Sequence, residues 1–91
     1  MKNKEINKLN KKQTELLFDL LTELGFIYTK SLFHIFCYSE DIIISLPKVI
    51  TSHHLLAVRH SLDMNGFMEM IDFHHMMGIE QVQNTYYWIN K

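Results

Sequence analysis

The sequence predicts a small α+β protein with an α-β-β-β-α core followed by a C-terminal extension. A leucine-rich stretch with helical spacing precedes Gly25, and a second helical stretch precedes Gly66. Between them, residues 26–46 are rich in aromatic and β-branched side chains, which favour strands. Turns of only a few residues separate these strands. We therefore expect an antiparallel three-stranded sheet with two helices on one face.

Length and charge limit the range of functions. Ninety-one residues indicate a single domain, 1–91, with a core at 10–67 and an extension at 68–91. The net charge of −1 argues against a strongly basic nucleic-acid binder. Lysines nevertheless crowd the N-terminus and can form a local basic patch: Lys2, Lys4, Lys8, Lys11 and Lys12.

Cellular location is indicated only by what the sequence lacks. Cys37 is the only cysteine, so an intrachain disulfide is excluded, which suits a reducing cytoplasm. No apolar run reaches the roughly 18 residues of a membrane span, and the charged N-terminus has no apolar stretch typical of a secretion signal. We expect a cytoplasmic protein without a membrane segment.

The first helix should span residues 10–24. Asn10 and Gln13 have the spacing of a capping box, and Gly25 is the usual residue just after a helix. The buried stripe of this helix is made of leucines: Leu16, Leu17, Leu20, Leu21 and Leu24. Residues 1–9 are expected to be frayed or to lead into the helix.

Three strands are expected at 26–30, 32–38 and 42–46, with a polar turn at 39–41. Pro47 should end the third strand because proline cannot donate to a ladder. Alternation places His34, Phe36 and Tyr38 on one face of the second strand. Both faces of this sheet are apolar. The face away from the helices is therefore either covered by another segment or left open.

The second helix should begin after Thr51 or Ser52 and end at Gly66. Leu55, Val58 and Leu62 form its inward stripe. Residues 67–91 have no clear period. We predict a hairpin there, pairing residues 68–73 with 85–89, because the second of these segments is an excellent strand sequence. The extension should either cover the open sheet face, extend a sheet edge or pair with a second subunit, and we favour the last two.

Histidine is the residue type best suited to catalysis in this chain. His34 lies alone in an apolar strand, where a histidine is more often structural than a general acid or base. Five others raise the question of a metal site: His53, His54, His60, His74 and His75. His53 and His60 are two helical turns apart, about 10 Å, which is too far for one ion. We predict no metal site.

Four segments together resemble the HicA family of toxins, the mRNA interferases of bacterial toxin–antitoxin systems. They are LLTELGF, SLFHIF, IISLP and LLAVRHSLDMNGF, covering roughly residues 16–67. In that family a Gly-aromatic pair ends the first helix, a Gly-Ser-x-His stretch opens the second strand, and a hydrophobic-Pro pair ends the third. Here these places hold Gly25-Phe26, Ser31 to His34, and Leu46-Pro47. The chain is divergent, because Ser31-Leu32 replaces Gly-Ser and about two dozen residues follow the second helix.

The resemblance implies a double-stranded-RNA-binding-domain-like fold. It also implies a metal-independent ribonuclease that acts on mRNA without a cofactor and that a partner antitoxin protein neutralises. His34 would be catalytic and Phe36 and Tyr38 would stack on bases, while three cations would contact phosphates: Lys30, Lys48 and Arg59. The alternative is a non-catalytic protein-interaction or inhibitor module on the same core. A homodimer paired through tails or edge strands is a third alternative.

Overall fold

In the computed structural model, which describes residues 4–89, the chain forms three helices and two antiparallel three-stranded sheets. The elements in chain order are β1 Lys4–Glu5, α1 Lys11–Glu23, β2 Ile27–Lys30, β3 His34–Tyr38, β4 Ile43–Pro47, α2 Ser52–Met64, α3 Met70–Met77, β5 Ile79–Val82 and β6 Thr85–Trp88. The α+β class is confirmed.

The central sheet, β2-β3-β4, is the meander that the sequence predicts. Its strand bounds differ slightly from expectation. β3 begins at His34 rather than Leu32, and Pro47 is the last residue of β4 rather than the residue after it. Buried residues alternate along the strands, with Ile35 and Cys37 on β3 facing the helices. This inner face packs against α1 and α2.

Helix α1 has the capping box and the terminating glycine that its sequence predicts. The Asn10 side chain accepts a hydrogen bond from the Gln13 N–H at 2.8 Å, and the Gln13 side chain accepts one from the Asn10 N–H at 2.9 Å. The capping box satisfies two N–H groups that a helix start leaves free. Gly25 follows with φ of 96°, a left-handed conformation that glycine adopts easily. The leucine stripe is narrower than expected, because Leu16 is exposed and Leu24 half-buried.

The predicted hairpin of the C-terminal extension is wrong in one arm. Residues 70–77 form helix α3, and β6 pairs with β5 instead. Phe73 and Met77 are both buried and lie four residues apart, so they share one face of a two-turn helix. Gly78, with φ of 68°, ends α3 and lets the chain turn directly into β5.

The N-terminal segment is also more ordered than expected. Lys4 pairs with Trp88 and Glu5 with Tyr87, so β1 completes a second sheet of order β1-β6-β5. The extension therefore builds a sheet of its own with β1 and does not extend the central sheet. This differs from the edge extension favoured on sequence grounds.

One hydrophobic core joins the two parts of the chain. Leu20 and Leu62 from the predicted core lie in the same buried cluster as Phe73 and Tyr86 from the extension. Ile6 in the N-terminal segment joins it too. Packing of the extension onto α1 and α2 removes Phe73, Met77 and Tyr86 from water, whereas Ile71 remains 70% exposed. Among the described residues, no helix has the length and apolar character needed to cross a membrane.

Candidate functional site

The outer face of the central sheet is the side turned away from α1 and α2. Strand register arranges it in three rows. The first row holds His34 beside Pro47, the middle row holds Thr29, Phe36 and Ser45, and the last row holds Ile27, Tyr38 and Ile43. We call the end with His34 the His34 end and the opposite end the turn end. The predicted shared face of His34, Phe36 and Tyr38 is thus present.

No described segment covers the outer face. Phe36 is 37% exposed, Ile43 72% and Ile27 60%, whereas Ile35 on the other side of β3 is 8% exposed. The extension packs on α1 and α2 instead. The His34 and Phe36 rings lie 6.1 Å apart between centroids. An imidazole and an aromatic ring are therefore presented to solvent on one rigid surface.

The loop before His34 is closed by a serine rather than by a glycine. The Ser31 hydroxyl accepts a hydrogen bond from the His34 N–H and donates one to the His34 carbonyl, both at 3.1 Å. The Ser31 N–H also donates to that carbonyl at 2.8 Å. Only Leu32 and Phe33 remain in the exposed loop tip. Ser31 therefore fixes the backbone of His34 through both its hydroxyl and its N–H.

Positive charge lies at the His34 end. Lys48 follows Pro47, the strand partner of His34. Beyond it, the Leu9 N–H donates to the Ile50 carbonyl at 2.8 Å and Lys8 pairs with Thr51, so the N-terminal segment runs beside the chain between β4 and α2. Lys48 is exposed at this end, and Lys30 lies on the inner side of the sheet beside the first turns of α1, which bring Glu15 and Asp19 to the same cavity. The side chains of Lys8 and Lys12 line cavities that also involve Trp88 of β6.

The turn end carries the opposite charge. Glu40 and Asp41 are exposed in the turn between β3 and β4. The net charge of −1 for the whole chain does not reveal this difference in charge between the two ends of the outer face. The sequence shows that the N-terminal lysines are clustered, and the fold pairs Lys8 with Thr51, between β4 and α2.

Two of the predicted phosphate contacts lie off the outer face. Lys30 belongs to an inner-face row with Ile35 and lines a cavity of about 260 Å³ together with Glu15 and Asp19. Arg59 lies on α2, where its Nη1 donates to the Met70 sulfur at 3.3 Å. The fold thus brings Lys48 near His34, keeps Lys30 at the same end but on the other side, and leaves Arg59 apart.

The remaining histidines have separate surroundings. His54 Nδ1 accepts a hydrogen bond from the Thr51 N–H at 2.9 Å and so caps the start of α2. His74 is described below, and the others are exposed: His53, His60 and His75. Within residues 4–89, no group of three or more histidine, cysteine or acidic side chains is arranged to hold a metal ion.

A polar contact joins α3 to β6 within the extension. His74 Nε2 lies 2.9 Å from the hydroxyl of Tyr86, which is fully buried. Burial, followed by the nearby charge of Arg59, lowers the pKa of His74 below its ordinary value. Burial raises the pKa of Tyr86, and Arg59 partly offsets this effect. Arg59 of α2 acts on both groups, so α2 contributes charge to this contact between α3 and β6.

Sequence reasoning missed Thr29 and Ser45. Their hydroxyls flank Phe36 in the middle row, one on each neighbouring strand. Alternation within one strand identifies its own face, but rows across strands require the register. The outer face as a whole offers an exposed imidazole, aromatic surfaces and hydroxyl groups, with Lys48 at one end. Scans of protein-family models, curated proteins and solved structures find no match to this chain.

Proposed function

We propose that the protein is a HicA-like, metal-independent ribonuclease that binds single-stranded mRNA on the outer face and uses His34 as its catalytic residue. The core would then be a divergent member of the double-stranded-RNA-binding-domain-like folds. One observation carries the proposal: His34 is exposed on an uncovered sheet face, beside an aromatic ring and at the strand end that leads into Lys48.

The chemistry requires only proton transfer. The ribose 2′-oxygen attacks the adjacent phosphorus, the bond from phosphorus to the 5′-oxygen breaks, and a 2′,3′-cyclic phosphate and a 5′-hydroxyl remain. The proton leaves the 2′-hydroxyl and one is gained by the 5′-oxygen. Imidazole is suited to this exchange because it changes charge near neutral pH. His34 is the only titratable side chain in the three rows of the outer face apart from the Tyr38 phenol.

The aromatic side chains would bind the bases of the RNA, and lysine would bind its phosphate backbone. Phe36 and Tyr38 offer ring surfaces for unpaired bases, and such stacking tolerates different sequences. Lys48, which follows the strand partner of His34, would contact a phosphate at the His34 end. A protein antitoxin that covers the outer face would block access to His34. Because mRNA is the substrate, we place the protein in the cytoplasm.

The test compares purified wild-type protein with His34→Ala and with His60→Ala, which changes an exposed histidine on α2. Each is incubated with 5′-labelled single-stranded RNA in the presence of EDTA. Wild type and His60→Ala should yield products ending in a cyclic phosphate, and His34→Ala should yield none while keeping its circular dichroism spectrum. Cleavage by His34→Ala at the wild-type rate, or no cleavage by wild type, would refute the ribonuclease proposal.

A second function, protein interaction or inhibition without catalysis, is favoured by the aliphatic part of the same surface. Ile27 and Ile43 flank the turn end, and Leu32 and Phe33 are 76% and 71% exposed at the loop tip. Depletion of charge and enrichment of aromatic residues are typical of the centre of a protein interface. A second copy of the chain is one such partner. Sedimentation of wild type beside Ile43→Lys tests it: a dimer that the substitution dissociates would support self-association through this face.

A further inference from the structure

The middle row of the outer face has the composition of a base-recognition site. Phe36 lies between Thr29 on β2 and Ser45 on β4, in direct register with both. All three side chains are exposed. Neighbouring strands are about 4.8 Å apart, so each hydroxyl lies about one strand spacing from the centre of the row. A planar base placed on the Phe36 ring would have its edges over these two hydroxyls.

The hydroxyls have capacity left for a ligand. Within the described part of the chain, Ser45 makes no side-chain hydrogen bond, and Thr29 has one long contact of 3.4 Å with the Tyr38 hydroxyl. A hydroxyl can donate one hydrogen bond and accept two, so each can adapt to a donor or an acceptor on a base edge. The two neighbouring rows differ, because the Ile27 row is aliphatic beside Tyr38 and the His34 row ends in Pro47.

We infer that Thr29 and Ser45 determine the base preference of the proposed ribonuclease, with Phe36 as the stacking surface for the selected base. The inference rests on the proposed function and adds which nucleotide is read. The ring of Phe36 lies 6.1 Å from that of His34, so the selected base belongs to a nucleotide at or next to the cleaved bond.

Charge favours single-stranded RNA as the occupant of this row. The three rows contain no carboxylate, and Lys48 follows Pro47 beyond the His34 row, where the phosphates of a strand running along β3 would leave the sheet. Stacking on an exposed ring requires an unpaired base, which excludes duplex RNA. A protein partner would gain little from two hydroxyls around a central ring, whereas a base presents donors and acceptors at its edge.

The experiment measures binding without cleavage. Fluorescence anisotropy is recorded with octamers of A, C and U that carry 2′-O-methyl groups, which cannot be cleaved through the 2′-oxygen. The proteins are wild type, the double variant Thr29→Val with Ser45→Ala, Phe36→Leu, and Thr85→Val as a control on β6. Valine keeps the shape of threonine and removes its hydroxyl.

Wild type and Thr85→Val should rank the three octamers alike, with a spread of at least tenfold. The double variant should reduce that spread to less than threefold while binding the weakest octamer within threefold of wild type. Phe36→Leu should weaken binding of all three by about five- to a hundredfold, the range of one lost stacking contact.

An unchanged ranking in the double variant, or no ranking in wild type, would overturn the inference while leaving the ribonuclease proposal to its own cleavage test. Absence of binding to all three octamers by wild type would overturn both proposals.

Discussion

Replacing Phe73 by alanine should destabilise the whole protein, not only the extension. Phe73 lies on α3 with no exposed surface and belongs to the same buried cluster as Leu20 and Leu62. Removing a buried phenylalanine side chain costs about 3–5 kcal/mol, out of a total of about 5–15 kcal/mol for a typical domain. At roughly 4–8 °C per kcal/mol for a protein of this size, the melting temperature should fall by at least about 12 °C.

The assay is thermal unfolding followed by two signals. Far-ultraviolet circular dichroism reports the helices, and fluorescence of Trp88, the only tryptophan, reports β6. Phe33→Ala is the matched control, because Phe33 is 71% exposed and its loss should change stability by less than about 0.5 kcal/mol. The two signals should coincide in every variant. A Trp88 transition well below the helical one, or equal melting of the two variants, would refute a single shared core.

Three further predictions concern other parts of the chain. The free energy of unfolding should decrease as the pH falls below about 6.5, because the pKa of His74 is lowered in the folded protein and the unfolded chain therefore binds the proton more readily. Urea unfolding at pH 7.5 and pH 5 measures this dependence, and His74→Gln should weaken it. Asn10→Ala should cost about 1 kcal/mol through loss of the capping box, and an unchanged unfolding midpoint would contradict that role. Burial raises the pKa of Cys37 to about 11, so iodoacetamide should modify this thiol at pH 8 only when urea unfolds the protein. Rapid labelling of the native protein would be inconsistent with the structure.

The elements that the sequence predicted well are those with their own local signals. α1 has a leucine stripe between a capping box and Gly25, and the central sheet has alternating strands ending near Pro47. α3 spans only eight residues, too few turns for a helical period to stand out from an apolar run. β1 has two residues and is defined by its pairing with β6 rather than by its composition.

The candidate site likewise combines relations that the sequence predicts with relations that only the folded structure shows. Alternation within β3 correctly groups His34 with Phe36 and Tyr38, because that relation lies within one strand. The positions of Thr29 and Ser45 depend on pairing between strands, and that of Arg59 depends on how α3 packs against α2. Such relations join residues far apart in the chain, and a single sequence contains no direct signal for them.

Pairing of Lys4 with Trp88 affects how the chain can fold during its synthesis. Nearly all of the described chain separates these two residues, so β1 leaves the ribosome long before its partner strand exists. The segment around Ile6, which is buried in the finished core, must remain without its partners until β6 emerges. We therefore expect a nascent chain stalled before β6 to be protease-sensitive and prone to capture by chaperones, and release of the full chain to bring protection in one step.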